Sequence, residues 1–372
     1  MKFTIERTAL LKSLGHIQRV VERRTTIPVL SNVLLSVKKS GLSLTATDME
    51  LTIVEVLLAD IGDKGQATAP AHTLYDIVRK LPEGAQIAFD YDANAARLNL
   101  SAARSNFALS TLPVEEFPAI ADEQLSHNFT LGASDLRNLI EHTSFAISTE
   151  ETRYYLNGIF LHATKNGDTD VLRAVATDGH RLARIEMPLP KGAVGMPGVI
   201  LPRKTVLELG KLMEEVADPI EVGLSETRVR FTVAGAVLTS KLIDGTFPDY
   251  GRVIPTQNDK TLVVNRREFS EAVDRVSTIS IEKSRSVKLG LSPGKLLLSA
   301  SSEESGTASE ELAVKYDADP IEIGFNARYL LDITQQIEGE DVKLMLADAS
   351  SPTILCALAE GSALYVLMPM RV

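Results

Sequence analysis

The chain contains no tryptophan and one cysteine in 372 residues, and aromatic residues reach only 5 %. Its cores must therefore be built from Leu, Val, Ile and Ala. The lone thiol, Cys356, excludes an internal disulfide and a multi-cysteine zinc site. Within Thr353-Ile354-Leu355-Cys356-Ala357-Leu358 it reads as a buried strand residue. No apolar run approaches the roughly 18 residues that a membrane span needs. The richest, Ile53 to Ala59, is broken by Glu55, and Glu6 and Arg7 fall where a secretion signal would need apolar residues. A cytosolic location and no membrane partner are expected. Positive charge is also short, with a net charge of −10. A broad basic DNA-binding face is thereby excluded, and any nucleic-acid contact must be local, weak or enclosed. Neither GxxxxGK[ST] nor GxGxxG occurs; Gly192-Ala-Val-Gly195-Met-Pro-Gly198 has the wrong spacing and reads as a loop. The six histidines at 16, 72, 127, 142, 162 and 180 are scattered without a helical HxxxH pair, so no metal or other cofactor is expected.

Internal repetition is what the sequence does have. Ala46-Thr47-Asp48 follows the alternating stretch Leu42–Thr45, and Ala176-Thr177-Asp178 follows Val171–Val175. A third version, Leu296–Ser302, closes the series. Phe3-Thr4-Ile5 matches Phe129-Thr130-Leu131, and Leu262-Val263-Val264 takes that place in the last copy. Phe107–Leu112 matches Val237–Leu242 and Leu364–Met368, and Phe117-Pro118 matches Phe247-Pro248. Three copies of roughly 120 residues follow, with domains expected at 1–122, 127–253 and 259–372.

Each copy is itself doubled. A short strand leads into a helix of period 3.6, then into alternating strands. In the first copy Leu10, Leu11, Leu14, Ile17, Val20 and Val21 mark a helix from Thr8, and strands Val29–Lys38, Gly41–Ala46 and Leu51–Leu58 follow. A second helix carries Leu74, Ile77, Val78 and Leu81 and stops at Pro82-Glu83-Gly84. Strands Gln86–Asp90, Ala96–Ser101 and Asn106–Leu112 complete the copy. Further helices are predicted near 133–148, 203–216, 266–282 and 326–337. The fold class is α+β with largely antiparallel sheet, a strand–helix–strands unit used six times. The linkers around Ala119–Ser126 and Pro255–Lys260 are too short for flexible tethers.

One segment resembles chemistry, Thr177-Asp178-Gly179-His180-Arg181-Leu182, in which Asp178 could orient His180 as a base. The repeat favours a tight turn instead, because Asp48-Met49-Glu50 and Ser302-Glu303-Glu304 stand in the same place. No serine or cysteine nucleophile with a partner accompanies it. A recognition surface special to the middle copy is the better reading. The tail Tyr365-Val366-Leu367-Met368-Pro369-Met370-Arg371-Val372 also stands apart. Thioethers adapt to varied apolar partners, so two Met around a Pro suit a peptide-binding surface. Lys12, Arg19, Arg23 and Arg24 lie on or just beyond the first helix and could hold phosphate loosely without reading sequence.

The opening MKFTIERTALLKSL, Arg153-Tyr154-Tyr155-Leu156-Asn157-Gly158, TDGHRLA at 177–183, FPDY at 247–250 and the terminal MPMR together resemble the bacterial DNA polymerase III β subunit family, the sliding clamps. The resemblance runs the whole length in order. It implies a non-enzymatic processivity subunit, a head-to-tail homodimer whose repeated domains close a ring around duplex DNA. The implied partners are the catalytic subunit of the replicative polymerase, the clamp loader, and repair and translesion polymerases. Carried over residue by residue, the implied peptide pocket comprises Leu156, Thr177, Gly179, His180, Arg181, Leu182, Pro248, Arg252, Val253, Val366, Met368, Pro369, Met370 and Arg371. The implied DNA contacts are Arg24, Arg153, Tyr154 and Tyr155. The implied dimer contacts are Phe107 and Leu109 against Thr278 and Ile279.

Overall fold

The computed structural model describes residues 1–119, 124–280, 285–359 and 361–371. Part of the Ala119–Ser126 linker, the end of the helix expected to reach 282, and Val372 lie outside these.

Six helices form where the apolar period predicts them: α1 (Arg7–Val20), α2 (Ala71–Lys80), α3 (Ala133–Ser144), α4 (Arg203–Leu212), α5 (Arg266–Ser277) and α6 (Ala327–Gln336). Each follows a strand directly. At three of these corners a side chain accepts free amide N–H groups of the first turn. Glu6 accepts from Ala9 at 3.0 Å, Asn265 from Arg267 and Glu268 at 3.1 Å, and Asn326 from Arg328 at 3.0 Å. Burial then follows one face. In α1 it covers Leu10, Leu14, Ile17 and Val20; in α5 it covers Phe269, Ala272, Val273 and Val276. Three helices end sooner than expected, α3 at Ser144, α4 at Leu212 and α5 at Ser277, and Val29 precedes rather than joins its strand. Pro28–Ser31 forms a 3-10 turn, and the strand runs Asn32–Lys38.

The chain divides into two compact units. One comprises Met1–Arg137, Pro190–Pro197 and Lys204–Leu242; the other comprises Asn138–Leu189, Gly198–Arg203 and Ile243–Val372. The units follow the sheets rather than the repeats. The first holds a five-stranded sheet and an eight-stranded sheet that runs, in spatial order, 127–131, 220–224, 228–233, 236–241, 51–57, 41–47, 32–38 and 65–70. The second holds an eight-stranded sheet ordered 199–202, 158–166, 169–177, 181–188, 363–367, 353–357, 341–346 and 260–265, and a four-stranded sheet. In both eight-stranded sheets a strand of one repeat pairs antiparallel with a strand of the next. Thr239 lies opposite Thr52, and Val366 lies opposite Leu182.

The first unit pins its hairpin turn to two helices with one amine. Lys204, on α4, donates to the Val20 carbonyl at the end of α1 (3.0 Å), to Glu22 (2.5 Å) and to Asp48 in the turn (2.6 Å). Burial pulls the Lys204 pKa down, but the hydrogen bonds to Asp48 and Glu22 outweigh it and leave it above the ordinary lysine value. Lys12 and Arg19 of α1 are likewise engaged, with Glu215 at 3.0 Å and Glu208 at 2.7 Å, and are not free cations on that helix. Replacing Lys204 by Met is expected to destabilise the first unit by about 1–3 kcal/mol. Because the folded pKa is raised, the wild-type advantage holds at neutral pH and is lost as pH climbs through about 10.4 and beyond. Thermal melts of the two proteins between pH 7 and 11 check both points.

Candidate peptide-binding site

The middle hairpin joins strands 169–177 and 181–188 through a turn built by two side chains. Asp178 Oδ1 accepts the backbone N–H groups of His180 (2.9 Å) and Arg181 (3.0 Å), and Thr177 Oγ1 accepts that of Gly179 (3.1 Å). The first copy repeats this geometry. Asp48 Oδ1 accepts from Glu50 and Leu51 at 2.9 and 2.6 Å, and Thr47 Oγ1 from Met49 at 3.0 Å. Gly179 has φ +89° and Met49, in the same place, φ +78°. Both turns thus use the left-handed region, which glycine enters without the strain that methionine bears; a Cβ at 179 would also stand 2.7 Å from Nη1, at the flexible end of Arg153. The second Asp178 oxygen goes to Arg181 Nε at 3.1 Å, so this carboxylate works on the backbone and a guanidinium rather than on the exposed His180 ring.

Arg181 is buried on the helix side of the sheet. Its Nη1 donates to Asp332 of α6 (2.6 Å) and Nη2 to the Phe145 carbonyl (2.7 Å). The guanidinium lies 4.3 Å from the Tyr329 ring centroid and 5.1 Å from that of Phe145. A cation bonded at Nε, Nη1 and Nη2 and stacked in this way is a strut.

Leu182 points to the opposite face. There it joins Leu156, Val175, Ile200, Phe247 and Val366 in one apolar cluster, against which Tyr155, Phe160, Ile243, Tyr250, Ile254 and Leu364 pack. Phe160 stacks on Phe247 with centroids 4.9 Å apart. Of the residues that the family resemblance assigns to the pocket, Leu156, Leu182 and Val366 are therefore brought together. The tail is strapped beside them at two points: Met368 N–H donates to the His180 carbonyl and Met370 N–H to that of Gly324, both at 2.9 Å. Met368 remains 39 % exposed, Pro369 and Met370 are half-buried and Arg371 is exposed. Pro248 follows Phe247 at the surface. Arg252 and Val253 lie exposed on the 3-10 turn Tyr250–Val253, with Arg252 paired to Asp249 at 2.9 Å. That turn is bracketed at Tyr250, whose hydroxyl accepts from Arg173 (3.0 Å) and meets His162 Nε2 (3.0 Å).

The sequence reading did not single out Val175, Ile200 and Phe247 as members of this cluster. Phe247 was visible as a repeat mark; the other two carried no signal beyond their apolar side chains. Tyr155, grouped with the DNA contacts by resemblance, is half-buried against the cluster, whereas its neighbour Tyr154 is 54 % exposed. Arg153 is exposed and paired with Glu150 at 3.1 Å. Arg24 is exposed just beyond α1. Phe107 and Leu109 are half-buried on Ser105–Ser110, an edge strand of the five-stranded sheet. Thr278 is exposed at the end of α5, and Ile279 beside it is half-buried. Cys356 is half-buried on its strand; burial pushes its thiol up, with Lys343 opposing, so it stays protonated at neutral pH.

Register shows what stands at the matching positions of the first repeat pair. Pairs Thr45↔Val54 and Thr47↔Thr52 match Val175↔Arg184 and Thr177↔Leu182. Thr52↔Thr239 matches Leu182↔Val366, and Leu34↔Thr68 matches Phe160↔Ile200. Four apolar positions, Val175, Leu182, Ile200 and Val366, thus correspond to Thr45, Thr52, Thr68 and Thr239. Two of these hydroxyls are used locally: Thr68 bonds Leu112 and Asn32, and Thr52 bonds Thr47.

Repeated strand–helix–strands domains joined edge to edge, with a buried apolar cluster at one junction, are the architecture of a DNA clamp. The family models for the DNA polymerase III beta subunit match in chain order: the N-terminal domain over residues 1–121, the central domain over 130–249 and the C-terminal domain over 251–371. The beta sliding clamp of Caulobacter vibrioides is 53 % identical over 372 residues, covering all of both chains. The crystal structure of a sliding clamp from Bartonella birtlesii bound to griselimycin has a TM-score of 0.97 at 49 % identity, covering 100 % of each chain. A polymerase sliding clamp from Caulobacter crescentus gives 0.95 at 52 %, with the same coverage. The chain belongs to the DNA polymerase III beta subunit family. It is a sliding clamp, a replication processivity subunit without catalytic chemistry of its own. Among the described residues no helix is long and apolar enough to cross a membrane.

Two histidines of this unit are held neutral by the fold. Burial depresses the pKa of His142, whose Nδ1 lies 2.6 Å from the buried Tyr365 hydroxyl. Burial and then the Arg173 charge depress that of His162. Below 6.5 the unfolded chain gains protons that the folded chain refuses, so stability is expected to fall as pH drops from about 6.5. Side-chain NMR titration is expected to give both histidines midpoints below 6.5, and melts from pH 7.5 to 5.5 to show the falling stability.

Proposed function

We propose that two copies of the chain, joined head to tail, encircle duplex DNA and slide on it without reading sequence, tethering the catalytic subunit of the replicative polymerase. On this reading three domains, 1–122, 127–253 and 259–372, contribute from each copy. The closing contacts are Phe107 and Leu109 of the first domain against Thr278 and Ile279 of the third. Two edges support the closure. Strand 105–110 and strand 306–313 each end a sheet with one side unpaired among the described strands, and such edges are templates for another strand. Arg24, Arg153, Tyr154 and Tyr155 contact the DNA. A net charge of −10 keeps that hold loose, as sliding requires, and topology rather than affinity retains the clamp.

The apolar cluster at Leu156, Leu182, Phe247 and Val366 is the observation that carries the partner function. Its rim is formed by Thr177, Gly179, His180, Pro248, Arg252 and Val253 and by the tail Met368, Pro369, Met370 and Arg371, with Arg181 holding the turn from behind. Short apolar peptide segments of the polymerase, the clamp loader and the repair and translesion polymerases dock here and exclude one another. Adaptable thioethers beside rigid walls suit several ligands.

Two experiments test these statements. After loading by the cognate loader, the protein is expected to persist on a nicked DNA circle and to leave the same DNA rapidly once it is linearised; equal retention on both would sink the ring reading. The variant Val175→Thr, Leu182→Thr, Val366→Thr copies residues already accommodated at the matching strand positions. It is expected to stay folded and dimeric while binding a polymerase-tail peptide at least about ten-fold more weakly, from the apolar area lost. Fluorescence anisotropy and analytical ultracentrifugation read the two quantities.

A further inference from the structure

The face that carries the apolar cluster continues into a charged row. Paired residues of neighbouring strands point to the same side of a sheet. Leu182↔Val366 is followed by Arg184↔Leu364, with Val175 on the other flank of Arg184, and then by Glu186↔Arg173. A guanidinium therefore borders the peptide pocket two residues along the strand from its floor.

The charges in this row do not balance. Arg173 is satisfied, with Nε and Nη2 each 2.8 Å from Glu186 and Nη1 on the Tyr250 hydroxyl. Glu186 also accepts from Asn166 and faces no other cation at ion-pair distance among the described residues. Arg184 is half-buried, its Nε is covered without a hydrogen-bond partner, and no carboxylate of the described residues forms an ion pair with it. Burial and the neighbouring Arg173 charge both act against its protonated form. His162, held neutral, adds no charge. Two guanidiniums thus share one carboxylate beside the apolar cluster.

We propose that Arg184 is an anion subsite of the pocket, receiving the carboxylate of an acidic residue that flanks the apolar anchors of a partner peptide. The proposal rests on the peptide-pocket reading above. A cation with no carboxylate at ion-pair distance, helped only by the more distant Glu186 that Arg173 already holds and walled by Val175 and Leu364, fits one carboxylate next to apolar side chains. A nucleic-acid backbone, charged at every nucleotide, calls for a line of exposed cations instead. Bringing a carboxylate here completes the second ion pair and covers the apolar walls in the same step.

The test uses the full-length protein and fluorescein-labelled peptides carrying a Leu-Phe pair. A single Asp is set one, two or three residues to either side of the pair, and each peptide has an Asn counterpart. At one placement the Asp peptide is expected to bind about ten-fold tighter than its Asn counterpart at low salt, the preference shrinking as salt rises. Arg184→Met, which keeps an apolar stem, is expected to erase the preference and leave the Asn peptide within about two-fold of its wild-type affinity, whereas Arg184→Lys keeps part of the preference. Because an unpaired half-buried cation is removed, the Met variant is expected to melt no lower than wild type; a lower midpoint would make Arg184 a structural strut and overturn the proposal. Equal binding of Asp and Asn peptides at every placement, or a preference that survives Arg184→Met, overturns the subsite and leaves the pocket standing. Binding of neither peptide set overturns the pocket reading and the subsite with it. Arg184-dependent displacement of the Asp peptide by oligothymidylate would assign the position to phosphate, against the proposal.

Discussion

Antiparallel pairing between strands of successive repeats is the constraint on which the rest of this molecule depends. Each repeat could finish its own sheet, yet strand 181–188 takes strand 363–367 as its neighbour, and strand 51–57 takes strand 236–241. That choice lays Val366 beside Leu182 although the two are far apart in the chain. It also brings the tail back over the hairpin turn, where the Met368 N–H closes on the His180 carbonyl. A recess whose walls come from different repeats cannot form within either alone. Because side chains alternate with period two, a slip of one residue would send Leu182 to the helix side and Arg181 to the recess.

The same turn is braced by opposite charge arrangements in its two settings. Where Asp48 turns the first hairpin, the helix supplies the cation, Lys204 of α4. Where Asp178 turns the middle hairpin, the strand supplies it, as Arg181, and the helix supplies the acid, Asp332 of α6. The second arrangement stacks a guanidinium between two aromatic rings and fixes the segment behind the apolar cluster.

Much was legible from residue order. Helix positions followed from the spacing of Leu10, Leu14, Ile17 and Val20 and its analogues, because a 3.6 period leaves one face to bury. The turn at Asp178 was read as architecture because Asp48 stood in the same place, and the matched hydrogen bonds agree. Residue type alone did not give the surroundings of these charges. Lys12 and Arg19 sit among positive residues in the sequence, but Glu208 and Glu215, about 200 positions away, neutralise them across the fold. Arg181 carried a binding motif's signature and proved to be a buried brace.

Local pattern by itself determined the three-fold repeat, the strand–helix–strands unit, the absence of a nucleophile with partners, and the segments most worth inspecting, since all of these depend on neighbours within a few turns or strands. Tertiary structure alone decided which apolar residues converge in one cluster. Val175 and Thr45, or Leu182 and Thr52, occupy matching register positions, and nothing local distinguishes a valine that will line a recess from one that will fill a core. The distinction arises only when Leu156, Ile200, Phe247 and Val366 converge on the same face. Sheet register sets that convergence, and register is a relation between distant strands that neither strand's own sequence contains.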